Sequence, residues 1–560
     1  MTQIDYLIIL LTLVIYRPLK IATLATKPRM LHHWDDLLGS RHERRLQKLD
    51  RYFGSRSVPP VVATLLSLIV YPTMHWKAID PTQSLRIVVG VAAVMLAWKS
   101  ATMDVDLATG RRLIGPRLVM LLAAAGVIFY PGFIFLLLFT AANYFRGWQH
   151  HQHLQFRISL IVLSSWLAYL ILSATMEGLP PVTAATWFAV LLIPGAQYAV
   201  AGVSKCRLGK RWYSWILHNR LDYLTLAAYQ WGWSWFLTEE RVIRWANRMR
   251  TFNRSLQASA VLMELATACA LFDRHVAMAV FCSLVVFHAT VFLLVGLLFW
   301  QNMAVLATLA GALYFLPEAV SSQIFNPVNG TLGCALVFTL TMGLKLWRPP
   351  GLSWWDTPLV ARTDWRVEGV SGQVYGLYND FMAPNDRIFG NSSGYFLSKR
   401  KRMTRHCGHI KKWERAHEIN EALSDPAQLQ KVVERLGAVP YREHEKEEHD
   451  RYMLAFFTNF NRGVSKSVCP RWLKAPGGQL FYWGRLPRFL GQEPVRRVTT
   501  HFREVIFDGT KFVTLQDEPL EVLEIPLSGE ESMVPPEEAS VVAAAEPTTE
   551  QVDRQQRRAA

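Results

Sequence analysis

Three places in the chain put chemistry-bearing residues where an apolar setting would make them costly. The first is Trp148-Gln149-His150-His151-Gln152-His153, just ahead of a helical run that begins near Arg157. Neutral imidazoles clustered in this way suit iron or copper, so His150, His151 and His153 could form a metal site. Membrane di-iron oxidases draw on several such boxes. Here a single box has only His32-His33 and the group His406, Cys407 and His409 to add to it. A solvated helix entrance is the plainer reading of the same residues. The second place is Glu264 in AVLMELATACALF, with His288 in SLVVFHATVFLLVG. An ionisable residue inside such a run must be neutral, paired or turned toward water, and a hydrogen bond between two helices would satisfy both. The third is Tyr198–Lys205, YAVAGVSK, at the end of an apolar run that starts near Ala184. Ala201 and Gly202 allow a neighbouring helix to approach closely. Lys205 then either snorkels into the headgroups or sits in a desolvated pocket, where a neutral amine can act as a base.

The elements that must hold these residues are apolar helices. The chain has 560 residues, 51% of them hydrophobic, and a mean hydropathy of +0.13. A soluble chain of this length would normally lie below zero. Residues 60–71 and 118–142 are nearly charge-free, and further apolar runs cover 85–101, 156–176, 184–203, 259–272, 276–300, 302–317 and 328–347. A spanning helix needs ~20 such residues, so these runs predict about eight or nine spans. No barrel-like alternation is present, and the class is a polytopic α-helical membrane protein. It would be a multi-pass protein of the cell membrane, the inner or plasma membrane if bacterial.

The formal net charge of +16 would point to nucleic acid in a soluble protein. In a membrane protein it fits cytoplasmic loops and anionic headgroups, so the lipid bilayer is the expected partner and nucleic acid is not. The stretch 41–56 and the loop with Arg111, Arg112 and Arg117 have that character, and so does 204–258. Simple alternation of spans does not put all three on one side. A half-spanning helix near Pro131-Gly132 or a span over 222–237 would restore consistency. The six cysteines are scattered without a CxxC pair, which signals neither a disulfide framework nor a zinc site. Residues 4–16 carry Asp5 where a signal peptide is basic, and read as an uncleaved anchor or interfacial segment.

The chain divides into an N-terminal anchor and basic juxtamembrane region (1–58), a transmembrane bundle (59–347), a soluble α+β domain (348–525) and an acidic tail (526–560) that its composition predicts to be disordered. The soluble domain shows helical patterns over 411–437 and 441–462. It ends in a hairpin, with a strand through Val498–Phe507, an Asp508-Gly509 turn and a strand over Lys511–Leu515.

Taken together, the three places resemble the transmembrane domain of the vitamin K-dependent γ-glutamyl carboxylase and its wider relatives, the horizontally transferred transmembrane (HTTM) family. The family's Tyr-x-x-Ala-Gly-x-x-Lys motif is matched by Tyr198, Ala201, Gly202 and Lys205. In that family the lysine is the base that deprotonates the reduced vitamin. Trp148 and His151 look like the family's Trp followed three residues later by a functionally important His. Phe287-His288 resembles the pair that opens a long apolar helix, and Glu264 stands at the family's acidic position relative to that histidine. The likeness covers 148–300 and rests on order and spacing, since no single motif is specific.

Two departures stand out. Ser204 replaces the second lysine that the carboxylase carries directly before its base, and 351–525 has no recognisable counterpart of the large luminal domain that grips a propeptide. The resemblance implies a lyase-type enzyme that couples oxygenation of a reduced quinone, vitamin K or a relative, by dioxygen to proton abstraction from a peptide or other substrate. Carbon dioxide capture, hence carboxylation, would follow. It implies Lys205, His151, His288 and Glu264 as catalytic residues, with Trp148, Tyr198, Gly202 and Phe287 around the quinone. Two other readings stay open: a histidine-ligated membrane metallo-oxidase, and a non-enzymatic membrane scaffold or transport component.

Overall fold

Long apolar runs have few ways to satisfy their backbone groups away from water, and those among the described residues fold as helices. The computed structural model describes residues 3–24, 82–130, 132–145, 153–177, 183–234, 236–343, 352–377, 381–382, 396–404, 408–423, 425–475 and 486–527. Helices α1 (Gln3–Leu24), α2 (Gln83–Thr102), α3 (Ile114–Phe129), α4 (Phe133–Tyr144), α5 (His153–Ser173) and α6 (Thr183–Cys206) come first. Two short helices follow, α7 (Ser214–His218) and α8 (Leu221–Trp231). Then come α9 (Glu239–Ala266), a 3-10 turn at Thr267–Leu271, α10 (Arg274–Val295), α11 (Trp300–Tyr314), α12 (Glu318–Ile324) and α13 (Pro327–Phe338). Helix α6 lies at the centre, packed against α1, α5, α9, α12 and α13.

By length and composition, α2, α6 and α10 are able to cross a membrane, and α11 with α12, bent by 116°, would make a fourth span or a re-entrant loop. The segments Gln3–Tyr16 of α1, Ile114–Phe129, Ile158–Ser173 of α5 and Pro327–Gly343 are apolar but shorter. Among the described residues there are thus three or four clear spans. An apolar run is counted by composition and a span by length: at ~1.5 Å per residue, the 16-residue α3 stops short of the ~30 Å hydrocarbon layer. The stretches 41–56 and 60–71 lie outside the described residues. Within 222–237, α8 is 11 residues long and buries Asp222, Thr225 and Gln230, so it is not a span. The most apolar of the long helices, α10, has a mean hydropathy of 2.5 and only 28% of it is buried. Val286 and Leu293 on α10 point outward, as do Leu118, Leu122 and Phe129 on α3 and Leu262 on α9. Lipid accommodates such a surface and water does not.

The C-terminal region is built on an antiparallel sheet in the order β3-β2-β5-β6, formed by β2 (Leu359–Gly369), β3 (Val374–Leu377), β5 (Val495–Phe507) and β6 (Phe512–Glu524). A small pair, β1 (Trp355–Asp356) with β4 (His409–Ile410), sits apart. The terminal hairpin turns where the sequence predicts it: Asp508 Oδ1 accepts from the amides of Thr510 and Lys511 at 2.8 and 2.9 Å, and Gly509 has φ +106°. The helical stretch predicted over 411–437 divides into α14 (Trp413–Glu421) and α15 (Pro426–Leu436), because Asp425 caps a new helix with Pro426 in its first turn. Helix α16 (Glu443–Asn461) covers the sheet. Trp365 and Val367 of β2 pack there with Val498, Met453 and Phe456.

Bundle and sheet region share that core. Leu107, from the turn between α2 and α3, is fully buried in it. The turn is fastened by Val105 N donating to Lys466 O (2.8 Å), Tyr452 Oη to Asp106 Oδ1 (2.9 Å) and Asn459 Nδ2 to Leu107 O (2.8 Å). A second seam joins Val360 of β2 to Ala227, Trp231, Trp233 and Val295. Leu107→Ala, though it changes a residue of the bundle, should loosen the C-terminal core by roughly 2–5 kcal/mol. Hydrogen exchange should then speed up in β5 amides of the full-length protein. Unchanged protection of β5 would contradict the shared core.

Candidate functional site

The site begins with two helices that come close because one of them lacks side-chain bulk where they cross. A Cβ at Gly202 of α6 would lie 3.1 Å from Glu264 Cβ and 3.0 Å from Leu265 Cγ, and one at Gly195 would lie 3.2 Å from the carbonyl oxygen of Thr267. With the gap closed, Lys205 Nζ donates to both carboxylate oxygens of Glu264 at 2.6 Å. Thr267 Oγ1 adds a bond to Gly195 O at 3.1 Å across the same crossing. The side chains of Lys205 and Glu264 are 11% and 5% exposed, and the ring of Trp215 lies 5.5 Å from the ammonium. Paired charges at such a depth hold each other in place, because neither has water to turn to.

Seven residues earlier, ~10.5 Å along the same face of α6, Tyr198 Oη shares a 2.6 Å hydrogen bond with His288 Nε2 of α10. Tyr198 is also hydrogen-bonded by Asn302 of α11. Aromatic rings surround the imidazole, with centroids of Phe299 at 5.1 Å, Phe287 at 5.6 Å and Tyr198 at 5.7 Å. His288 Nδ1 is buried and has no hydrogen-bond partner among the described residues. A buried polar atom left unsatisfied in this way is costly, and costs less once a ligand supplies the missing bond.

The C-terminal region closes one end of the site. Trp215 Nε1 donates to Trp354 O at 2.9 Å. Asn219 and Asp356 exchange two bonds: Asn219 Nδ2 donates to Asp356 Oδ2 (2.7 Å), and Asp356 N donates to Asn219 Oδ1 (2.8 Å). Trp354 Nε1 donates to Asp356 Oδ1 at 3.0 Å, and the His409 ring stacks on Trp354 with centroids 4.1 Å apart. From α9, Asn253 Nδ2 and Gln257 Nε2 both donate to Asn219 O, at 2.8 and 2.6 Å. Asn253, Gln257 and Glu264 therefore form a buried polar column on one face of α9, with Asn253 and Gln257 bonded to Asn219 and Glu264 bonded to Lys205. Burial pushes the Asp356 carboxyl up to about 7, against the lowering effect of its bonds to Asn219 and Trp354.

Of the residues the sequence singles out, Lys205, Glu264, Tyr198, His288, Gly202 and Phe287 meet around α6. Trp148, His150 and His151 lie outside the described residues, as do His406 and Cys407, and His153 is described only as the first residue of α5. Among the described residues, no group of three or more His, Cys, Asp or Glu could hold a metal ion. Asn219, Gln257 and Asp356 escape a reading by hydropathy because they lie in polar segments. A Trp354-Trp355-Asp356 cluster just past the bundle was the one available signal. No family model, curated protein or solved structure matches the chain.

Asp356 makes a pH test of the seam. Its carboxyl keeps a proton to about pH 7 in the folded chain, against an ordinary 3.8. As pH rises, the unfolded chain loses that proton first, so the stability Asp356 contributes is full below its ordinary value and declines through the window up to its raised one. The melting midpoint of the wild type should fall between about pH 5 and pH 7.5 more steeply than that of Asp356→Asn. Glu504, also raised to about 7 by burial, is present in both proteins and cancels from the comparison. Parallel slopes would mean that the buried carboxyl is already ionised.

Proposed function

We propose that the chain is a multi-pass membrane enzyme of the carboxylase-like kind, in which Lys205 takes a proton from a reduced quinone held in the bundle. Its eight or nine spans would include the shorter apolar helices, crossing in pairs or part-way. The observation that carries the reading is the Lys205–Glu264 contact, buried two turns from the Tyr198–His288 pair on one face of α6. The residues present fit a quinone ring. Phe287, Phe299 and Tyr198 offer aromatic faces, and His288 Nδ1 offers a free polar atom for a ring oxygen. When bound, a reduced quinone supplies an acidic hydroxyl and the electrons that dioxygen takes up; the resemblance adds proton abstraction from a peptide or other substrate, with carbon dioxide capture.

The chain's own residues have a defined task. At 2.6 Å a proton can pass from Lys205 Nζ to a Glu264 oxygen, which converts an ion pair into a neutral amine and a neutral acid. In a dry site that exchange needs no water to stabilise separated charges. The amine then accepts the hydroxyl proton as a general base. Trp215 covers the pair from the side of the C-terminal region, and the Tyr198–His288 pair orients the ring.

One observation favours a second reading. A single ammonium held at 2.6 Å from both oxygens of Glu264 is also how a charged lysine would clamp α6 to α9 with no turnover at all. Lys205→Arg separates the two, because arginine keeps a charge for the clamp and cannot surrender its proton. Under the enzyme reading this variant inserts and folds but loses oxidation of reduced vitamin K by about 100-fold or more. Lys205→Ala should be inactive as well, yet partly rescued by small exogenous amines, increasingly so as pH rises and more of the amine is neutral. Substantial turnover by the arginine variant would leave Lys205 as a clamp.

A further inference from the structure

Helix α9 is divided lengthwise. Its buried face carries Val242, Ala246, Met249, Asn253, Gln257, Val261 and Glu264, at the three- and four-residue spacing of one helix side. The opposite side is an exposed stripe of Arg241, Trp245, Arg248, Phe252, Ser255, Ser259 and Leu262. Arg244, Arg250 and Arg254 flank it, so five exposed arginines stand against one exposed acid, Glu240. No described carboxylate forms an ion pair with Arg241, Arg248 or Arg254. The apolar members of the stripe are as conspicuous as the charges: Trp245 is 47% exposed, Phe252 63% and Leu262 66%. The loop after α6 extends the surface, with Arg207, Lys210 and Arg211 exposed beside Trp212 at 67%.

We infer that this stripe is an interfacial docking surface for anionic phospholipid headgroups of the protein's own membrane. A purely basic surface would suit any polyanion. Large rings threaded between the arginines need an apolar layer next to the anionic one, and the headgroup boundary of a bilayer supplies both. Continuity supports the choice: the stripe ends at Leu262, where α9 enters the apolar bundle. The same helix carries Glu264 on its other side, so lipid bound to the stripe steadies the helix that holds Lys205. The inference rests on the membrane reading of the bundle. Its test reads lipid retention and not turnover, so it can fail while the lysine chemistry stands.

The full-length protein in mild detergent would be offered equal amounts of phosphatidylglycerol and phosphatidylcholine, and retained lipid would be read by native mass spectrometry. The wild type should retain phosphatidylglycerol in about tenfold preference or more. Arg241→Gln, Arg244→Gln, Arg248→Gln and Arg254→Gln combined should lose most of that preference while keeping the wild-type melting midpoint in phosphatidylcholine, and the matching four-lysine protein should keep the preference. Equal phosphatidylglycerol retention by the glutamine variant would overturn the inference. Displacement of the lipid by soluble polyglutamate at physiological salt would overturn it too, by assigning the stripe to an acidic polypeptide.

Discussion

An ammonium and a carboxylate buried between helices cannot be left apart, and much of the architecture follows from keeping Lys205 and Glu264 together. Removing one member of such a pair typically costs ~3–5 kcal/mol, a large part of a protein's whole stability. The contact demands that α6 and α9 run unusually close, which in turn demands glycine at 195 and 202. It also demands cover from water, supplied by the Trp215 ring. The same buried contact that clamps the two helices is the one on which the proposed base rests.

The polar column along α9 ties that pair to the C-terminal region. Asn219 is its hub, giving its carbonyl to Asn253 and Gln257 and its side chain to Asp356. Each bond is worth little alone, but bonds that share one buried hub favour a single arrangement of the elements that carry them. The C-terminal region is therefore part of the site's wall.

The sequence was informative where physics is local. Apolar composition marked the helical class, and the Asp508-Gly509 turn marked the hairpin. Tyr198, Gly202 and Lys205 were legible as a set only through their resemblance to the Tyr-x-x-Ala-Gly-x-x-Lys motif. Span number was less legible, since α3, α11 and α13 are as apolar as a span without being as long. The strand Leu359–Gly369 went unread: its charged residues Arg362, Asp364 and Arg366 alternate with core residues, but Arg362 and Asp364 are themselves buried, against the usual fate of charge. Asn219 and Asp356 were invisible for a different reason. Their role comes from a contact across 137 positions of chain, which no local pattern encodes.

The α2–α3 turn carries an implication for how the protein is made. Its Asp106 waits for Tyr452, 346 residues further along, and Leu107 fills a core whose other fully buried residues come from beyond residue 364. At common translation rates that interval is about 20–70 s. During it, the turn between α2 and α3 holds an apolar side chain with nothing to bury it. The nascent chain thus has a defined vulnerable period, closed only when the last strand pairs, in which a chaperone or a protease would find the same handle.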